Sequence, residues 1–213
     1  MTLRNITIAG AGNVGSALAR NLARHGLAVQ LAASDLASAQ SAARAVGDRV
    51  RAVELATLQG LVDALFLAVP AAAAPAVLET ARGLPTGTIV VDCTNPLRWD
   101  EGPVHTPPPE GSMTAHLAKR FPALRLVKAF NTFGAEFHER PELASTAADL
   151  YLAGDDADAR RSIAELARTM GFDPVDVGLL RNAAHLESLA ILWIHLSTVG
   201  QRGRDFAFKA LAR

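Results

Sequence analysis

Cysteine is nearly absent from this sequence. Cys93 is the single one in 213 residues. No intrachain disulfide can form, and a reducing cytoplasm is the expected setting. A charge excess is missing too. Basic and acidic residues balance at 21 each, which argues against a general nucleic-acid binder, whose phosphate contacts need a basic surface. Aromatic residues make up only 5% of the chain, so a core must rest on aliphatic side chains. No apolar run reads as transmembrane. Residues 61–78 contain Asp63, Pro70 and Pro75, and residues 186–199 are too short and carry Glu187 and His195. Met1-Thr2-Leu3-Arg4 runs straight into a strand pattern, with no secretory signal before it.

Half of the residues are hydrophobic, enough for one large α/β domain or one domain with a small appendage. Asn5–Ala9 reads as a strand. Val14, Leu18 and Leu22 then recur at helical spacing up to Gly26. Further strands are expected at 27–32, 49–53, 64–69, 88–92, 125–130, 149–153 and 173–177. Helices are expected from a cap at Ser34 or Asp35 to Val46, and over 75–82, 112–120, 156–171 and 182–200. The five prolines between Asn95 and Gly111 predict a loop. Strands alternating with helices imply crossovers and a doubly wound, mostly parallel sheet, with its ligand outside the carboxyl ends of the strands.

Gly10-Ala11-Gly12-Asn13-Val14-Gly15 is G-x-G-x-x-G between a strand and a helix. That setting makes it a dinucleotide fingerprint rather than a bare glycine-rich turn. Gly10 permits the tight turn, Gly12 lets the backbone approach a pyrophosphate, and Gly15 lets the helix pack on the strand. The second strand ends Ala32-Ala33-Ser34-Asp35. An acid there suits the ribose hydroxyl of NAD, and a nearby arginine suits the 2′-phosphate of NADP. Ser34 suits a phosphate and Asp35 a hydroxyl, while both residues equally suit capping of the next helix. NADP and NAD therefore both stay open.

One later segment stands out. Leu126-Val127-Lys128-Ala129-Phe130-Asn131-Thr132-Phe133-Gly134 begins like a buried strand, holds one of only three lysines, and ends in polar residues between aromatics. Together with the glycine turn, Ala68-Val69-Pro70 and Asp92-Cys93-Thr94-Asn95-Pro96-Leu97, it makes the chain resemble the NADP-dependent coenzyme F420 reductases and the related reductase domain of the STEAP ferric reductases. The resemblance implies a Rossmann-type domain over 1–177, a helical segment over 178–213, a homodimer, and hydride transfer between a nicotinamide and a deazaflavin (F420) or flavin. By position it implies that Gly10, Gly12, Asn13, Val14 and Gly15 hold the pyrophosphate. It places Ser34 and Asp35 at the 2′-phosphate, although the family's usual arginine near Ser34 is absent. Val69 and Pro70 fall along the cofactor, and Asn131 and Ala135 beside the nicotinamide.

Hydride transfer between stacked rings needs no side-chain acid or nucleophile, and no catalytic residue is assigned. Asn95 and Asn131 suit either orientation of a ring or capping of the turns after their strands. Lys128 is expected to reach solvent or a carboxylate from the sheet edge, and Cys93 to be a small buried residue. His185, Glu187 and His195 make a poor metal site, because the first two do not share a helix face. Leu186, Leu189, Trp193 and Leu196 form a stripe suited to core or a dimer interface, with Trp193 a candidate border of the acceptor ring. A small-carbonyl or imine reductase is disfavoured by the lack of any lysine between Lys128 and Lys209. A non-catalytic sensor of NAD(P)H remains the alternative from another class.

Overall fold

The computed structural model describes residues 3–58 and 62–211; Leu61, at the head of the apolar stretch, lies outside them. In chain order the elements are β1 (Ile6–Ala9), α1 (Asn13–Arg24), β2 (Val29–Ala32), α2 (Leu36–Val46), β3 (Val50–Ala52), β4 (Ala64–Leu67), α3 (Ala74–Thr80) and β5 (Ile89–Asp92). They continue with β6 (Leu97–Trp99), β7 (Pro103–His105), α4 (Met113–Arg120), β8 (Arg125–Lys128), α5 (Ala135–Glu139), β9 (Glu142–Leu143) and β10 (Thr146–Ala147). The last are β11 (Asp149–Leu152), α6 (Ala157–Thr169), β12 (Asp173–Asp176) and α7 (Ala183–Ser197).

Six strands form one parallel sheet in the order β3-β2-β1-β4-β5-β8. This is the Rossmann-type order, and it reverses between β1 and β4. The α/β doubly wound reading is therefore the observed fold. Strands covered on both faces lose their alternation, and β1, β4 and β5 are buried at every position. Ile6 and Ile8 pack with Leu18 and Leu22 of α1 on one face of the sheet. Leu65 and Leu67 pack with Leu78 of α3 and Leu117 of α4 on the other. Each such side chain contributes about 1.5–3 kcal/mol. Among the described residues, no helix is long and apolar enough to cross a membrane.

Several expectations need correction. Residues 95–111 are not simply loop, because Leu97–Trp99 pairs antiparallel with Pro103–His105. Proline is tolerated at the first position of such an outlying strand, and Asp100 N–H donates to Gly102 O at 2.8 Å to close the turn. The sixth expected strand stops at Lys128, since Phe130 adopts φ 59° and leaves the extended region. The two strands expected after it stand outside the main sheet. β11 and β12 pair parallel with each other, and β11 meets the sheet through an antiparallel bridge between Ala153 and Lys128. Neither α5 nor the small β9–β10 pair has an expected counterpart.

Lys128 does not reach solvent. It is fully buried, and its ammonium meets Asp92 Oδ2 at 3.1 Å, Glu187 Oε1 at 3.1 Å and the carbonyl oxygen of Thr94. Thr114 Oγ1 donates to Asp92 Oδ2 at 2.7 Å. The N–H of Met113 and Nε2 of His105 donate to the two oxygens of Glu187 at 2.9 and 3.0 Å. This cluster joins the ends of β5 and β8 to α7, to the N-terminus of α4 and to the β6–β7 hairpin. Removing one partner of a buried pair strands the others in a low dielectric. Lys128→Ala should therefore lower unfolding free energy by about 3–5 kcal/mol, measured by urea titration. A loss under about 1 kcal/mol would mean that the cluster does not tie these elements together.

Candidate functional site

β1 ends at Ala9, and the chain turns through Gly10, Ala11 and Gly12 into α1. Gly10 has φ 115°, and a Cβ there would lie 2.1 Å from the carbonyl oxygen of Ala68, just past β4. A Cβ on Gly15 would lie 1.8 Å from the carbonyl oxygen of Gly10 and 3.3 Å from Ile8 Cγ2. The outer two glycines are thus demanded by the protein's own packing. Gly12 is different. Its φ is −75°, which any residue adopts, and nothing lies within 4 Å of a Cβ built there. Among the described residues, no protein atom requires a glycine at position 12.

Gly12 is the N-cap of α1, yet no side chain caps this helix and its first turn holds no acid. α2, α4 and α6 are capped by Asp35, Ser112 and Asp156. The first backbone bond of α1 runs from Ser16 N–H to Gly12 O at 2.9 Å. The N–H groups of Asn13, Val14 and Gly15 meet no protein acceptor among the described residues. Their unspent donors and the helix dipole favour an anion here.

Beside this turn is a cavity of about 740 Å³, at the carboxyl edge where the strand order reverses. Gly10, Gly12, Ser34, Asp35, Val69 and Pro70 all line it. Asn13, Val14 and Gly15 belong to the first turn of α1 beside it. Asn95, Asn131 and Ala135 lie further along the same edge, past the ends of β5 and β8. β8 stands three strands from β1, about 14 Å at ordinary strand spacing. The polar end of the K-A-F-N-T segment therefore shares an edge with the glycine turn without adjoining it.

Asp35 is engaged. Its carboxylate accepts from Ser38 N–H at 2.7 Å, Ser38 Oγ at 2.8 Å and Ser34 Oγ at 3.2 Å. The Ser38 N–H bond, first among these, holds its carboxyl below the usual range. The capping reading is correct for Asp35, while Ser34 steadies the cap rather than forming it. Past β8, Asn131 Nδ2 donates to Asn95 Oδ1 at 2.9 Å and to Leu186 O at 3.1 Å. Asn95 Nδ2 returns a bond to Asn131 O at 2.9 Å. The two asparagines cross-link adjacent strand ends and fasten them to α7. Asn131 Oδ1 and the neighbouring Thr94 Oγ1 are buried without a partner. Unsatisfied buried acceptors and hydroxyls are rare in folded proteins.

Other candidates take different places. Trp193 does not border an open site. Its indole N–H donates to Phe206 O at 2.8 Å, Phe206 stacks on it at 5.3 Å, and Arg204 lies 5.4 Å from its centre. The ring is covered by the segment that follows α7. Cys93 is buried, and burial pushes its thiol pKa up. His185 and His195 are exposed on α7, while Glu187 turns inward to Lys128 and His105. Sequence reasoning missed the Asp92–Lys128–Glu187 cluster. An acid in the apolar helix and a lysine in an apolar strand were the available signals. It also missed Asn21 of α1, whose Nδ2 donates to His138 O and Met170 O at 2.9 and 3.2 Å.

The family model described as "NADP oxidoreductase coenzyme F420-dependent" matches residues 5–96. Metalloreductase STEAP3 of Rattus norvegicus is 34% identical over 106 residues, 49% of this chain and 20% of that protein. The chain thus spans about a fifth of that relative. An Arthrobacter sp. FB24 protein, provisionally described as an F420-dependent NADP-reductase, superposes with a TM-score of 0.87 at 26% identity. That superposition covers 98% of this chain and 99% of the other. The hypothetical protein SMa0349 of Sinorhizobium meliloti is 30% identical, with a TM-score of 0.72 over 100% of this chain and 96% of its own.

The glycines separate packing from binding. Gly15→Ala should cost about 3 kcal/mol, the upper end of ordinary overpacking, because a backbone carbonyl stands in the way of the new methyl group. Gly12→Ala should cost no more than about 1 kcal/mol, the ordinary loss at an N-cap. Thermal unfolding of both variants checks this, and equal losses would contradict it.

Proposed function

The chain belongs to the family of coenzyme F420-dependent NADP oxidoreductases, and we propose that it transfers hydride between a nicotinamide dinucleotide and a deazaflavin (F420) or flavin. The observation that carries the proposal is Gly12. Its missing side chain serves no protein contact, and it stands before three unspent N–H groups at the start of α1. A pyrophosphate accounts for both facts. The adenosine side then falls in the cavity lined by Ser34, Asp35, Val69 and Pro70. The nicotinamide side falls toward Asn95, Asn131 and Ala135, past the ends of β5 and β8.

When bound, the nicotinamide supplies or takes up the hydride. The chain contributes binding, orientation and exclusion of water. Asn13, Val14 and Gly15 present backbone donors to phosphate oxygens. Val69 and Pro70 give the cofactor an apolar wall. The Asn95–Asn131 pair fixes the two loops at the reacting end. We assign no side chain to proton transfer. A cytoplasmic homodimer, divided at residue 177 into a nucleotide-binding domain and a helical segment, belongs to the same reading. The exposed Trp99 and Leu192 support packing against a second copy.

The test is oxidation of NADPH and of NADH by the purified protein with F420, FMN and FAD, followed by absorbance. Turnover with one acceptor identifies it. Nucleotide binding without turnover on any of them would favour a sensor. Gly12→Val, which brings branched carbon toward the phosphate position, should weaken nucleotide binding at least about tenfold. Unchanged affinity would remove the glycine turn from the site.

A further inference from the structure

We infer that the adenosine end of this cavity selects a free ribose 2′-hydroxyl, so that the chain prefers NADH to NADPH. The inference rests on the dinucleotide reading above. In a sheet of this order the residues just past the second strand meet the ribose. Here they are Ser34 and Asp35, both lining the cavity. Three hydrogen bonds favour one orientation of the Asp35 carboxylate, one on Oδ1 and two on Oδ2. Glu54 adds a second carboxylate to the same lining, from the end of β3 next to β2.

Among the described residues no base offsets these acids: neither lysine nor arginine lines the cavity. Residues 59–61 are Gln, Gly and Leu, which carry no charge. Arg49 and Arg51, flanking and within β3, open onto a separate pocket with residues 4–6 and 28–30, around the starts of β1 and β2. A 2′-phosphate monoester would bring between one and two negative charges to two carboxylates and no cation. A 2′-hydroxyl brings none. A carboxylate takes about four hydrogen bonds; Asp35 has three filled, and the remaining lone pair on Oδ1 accepts a ribose hydroxyl. Rejection through an unpaired like charge is an effective route to specificity.

Equilibrium titration with NADH and with NADPH at low ionic strength, read by nucleotide fluorescence, tests this. NADH should bind at least about tenfold tighter, and the gap should narrow as salt screens the charges. Asp35→Asn keeps the helix cap, since asparagine caps as well as aspartate, and removes the charge. Combined with Ser34→Arg, it should move the affinity ratio toward NADPH by about tenfold or more, with an unchanged thermal midpoint verifying the cap. Equal or tighter NADPH binding by the unmodified protein overturns the inference and leaves the dinucleotide reading standing. A ratio unmoved by the double variant also overturns it, assigning residues 34 and 35 to capping alone. Failure to bind either nucleotide overturns both.

Discussion

A lysine ammonium with no access to water holds the carboxyl edge of the sheet together at β5 and β8. Lys128 ends the outermost strand of the parallel sheet and satisfies its charge on Asp92, at the end of the neighbouring strand, and on Glu187, from the last helix. Every group in the cluster is committed, because each would be costly alone in a low dielectric. The commitment spreads outward. Thr94, Asn95 and Asn131 each lie within three residues of a cluster member, so the loops after β5 and β8 inherit positions set by buried charge. The Asn95–Asn131 pair then adds direct hydrogen bonds between those loops and to α7. The apolar strand ends polar because the cluster lies beneath it and the orphaned polar atoms lie beside it.

The opposite end of the site is built by steric exclusion. Gly10 and Gly15 are small so that β1, β4 and α1 can meet at one point. That meeting is what opens α1 onto the crevice with its first N–H groups unspent. Packing elsewhere thus leaves these donors free for the proposed phosphate, with no acid in the first turn. Beyond it, Asp35 and Glu54 give the cavity an acidic lining. The sheet order is the Rossmann-type one, while the proposed ribose contacts rest on this chain's own Ser34 and Asp35.

Much of this was legible in the residues. The strand–glycine–helix pattern, the uninterrupted apolar run at 64–67 and the caps at Asp35, Ser112 and Asp156 each reflect local physics: backbone sterics, burial on two faces, and orphan N–H groups at helix starts. Less legible was anything decided by partners distant in sequence. Residues 95–111 looked like loop because of their prolines, yet two short strands form where the turn at Asp100 and Gly102 brings them together. Trp193 fits the core reading of its stripe and not a border to an acceptor ring, because the segment around Phe206 covers it. Lys128 looked like an edge lysine because Glu187 is 59 residues away.

The sequence by itself determined the periodicity of its elements, the parallel sheet they require and the glycine turn between β1 and α1, because these depend on residues within a few positions of one another. Tertiary structure alone decided which of the three glycines is spare, which acids line the cavity beside the glycine turn and which lysine is sunk. Those questions are settled by contacts between strand ends, and a strand end meets its neighbours only after the whole sheet has closed.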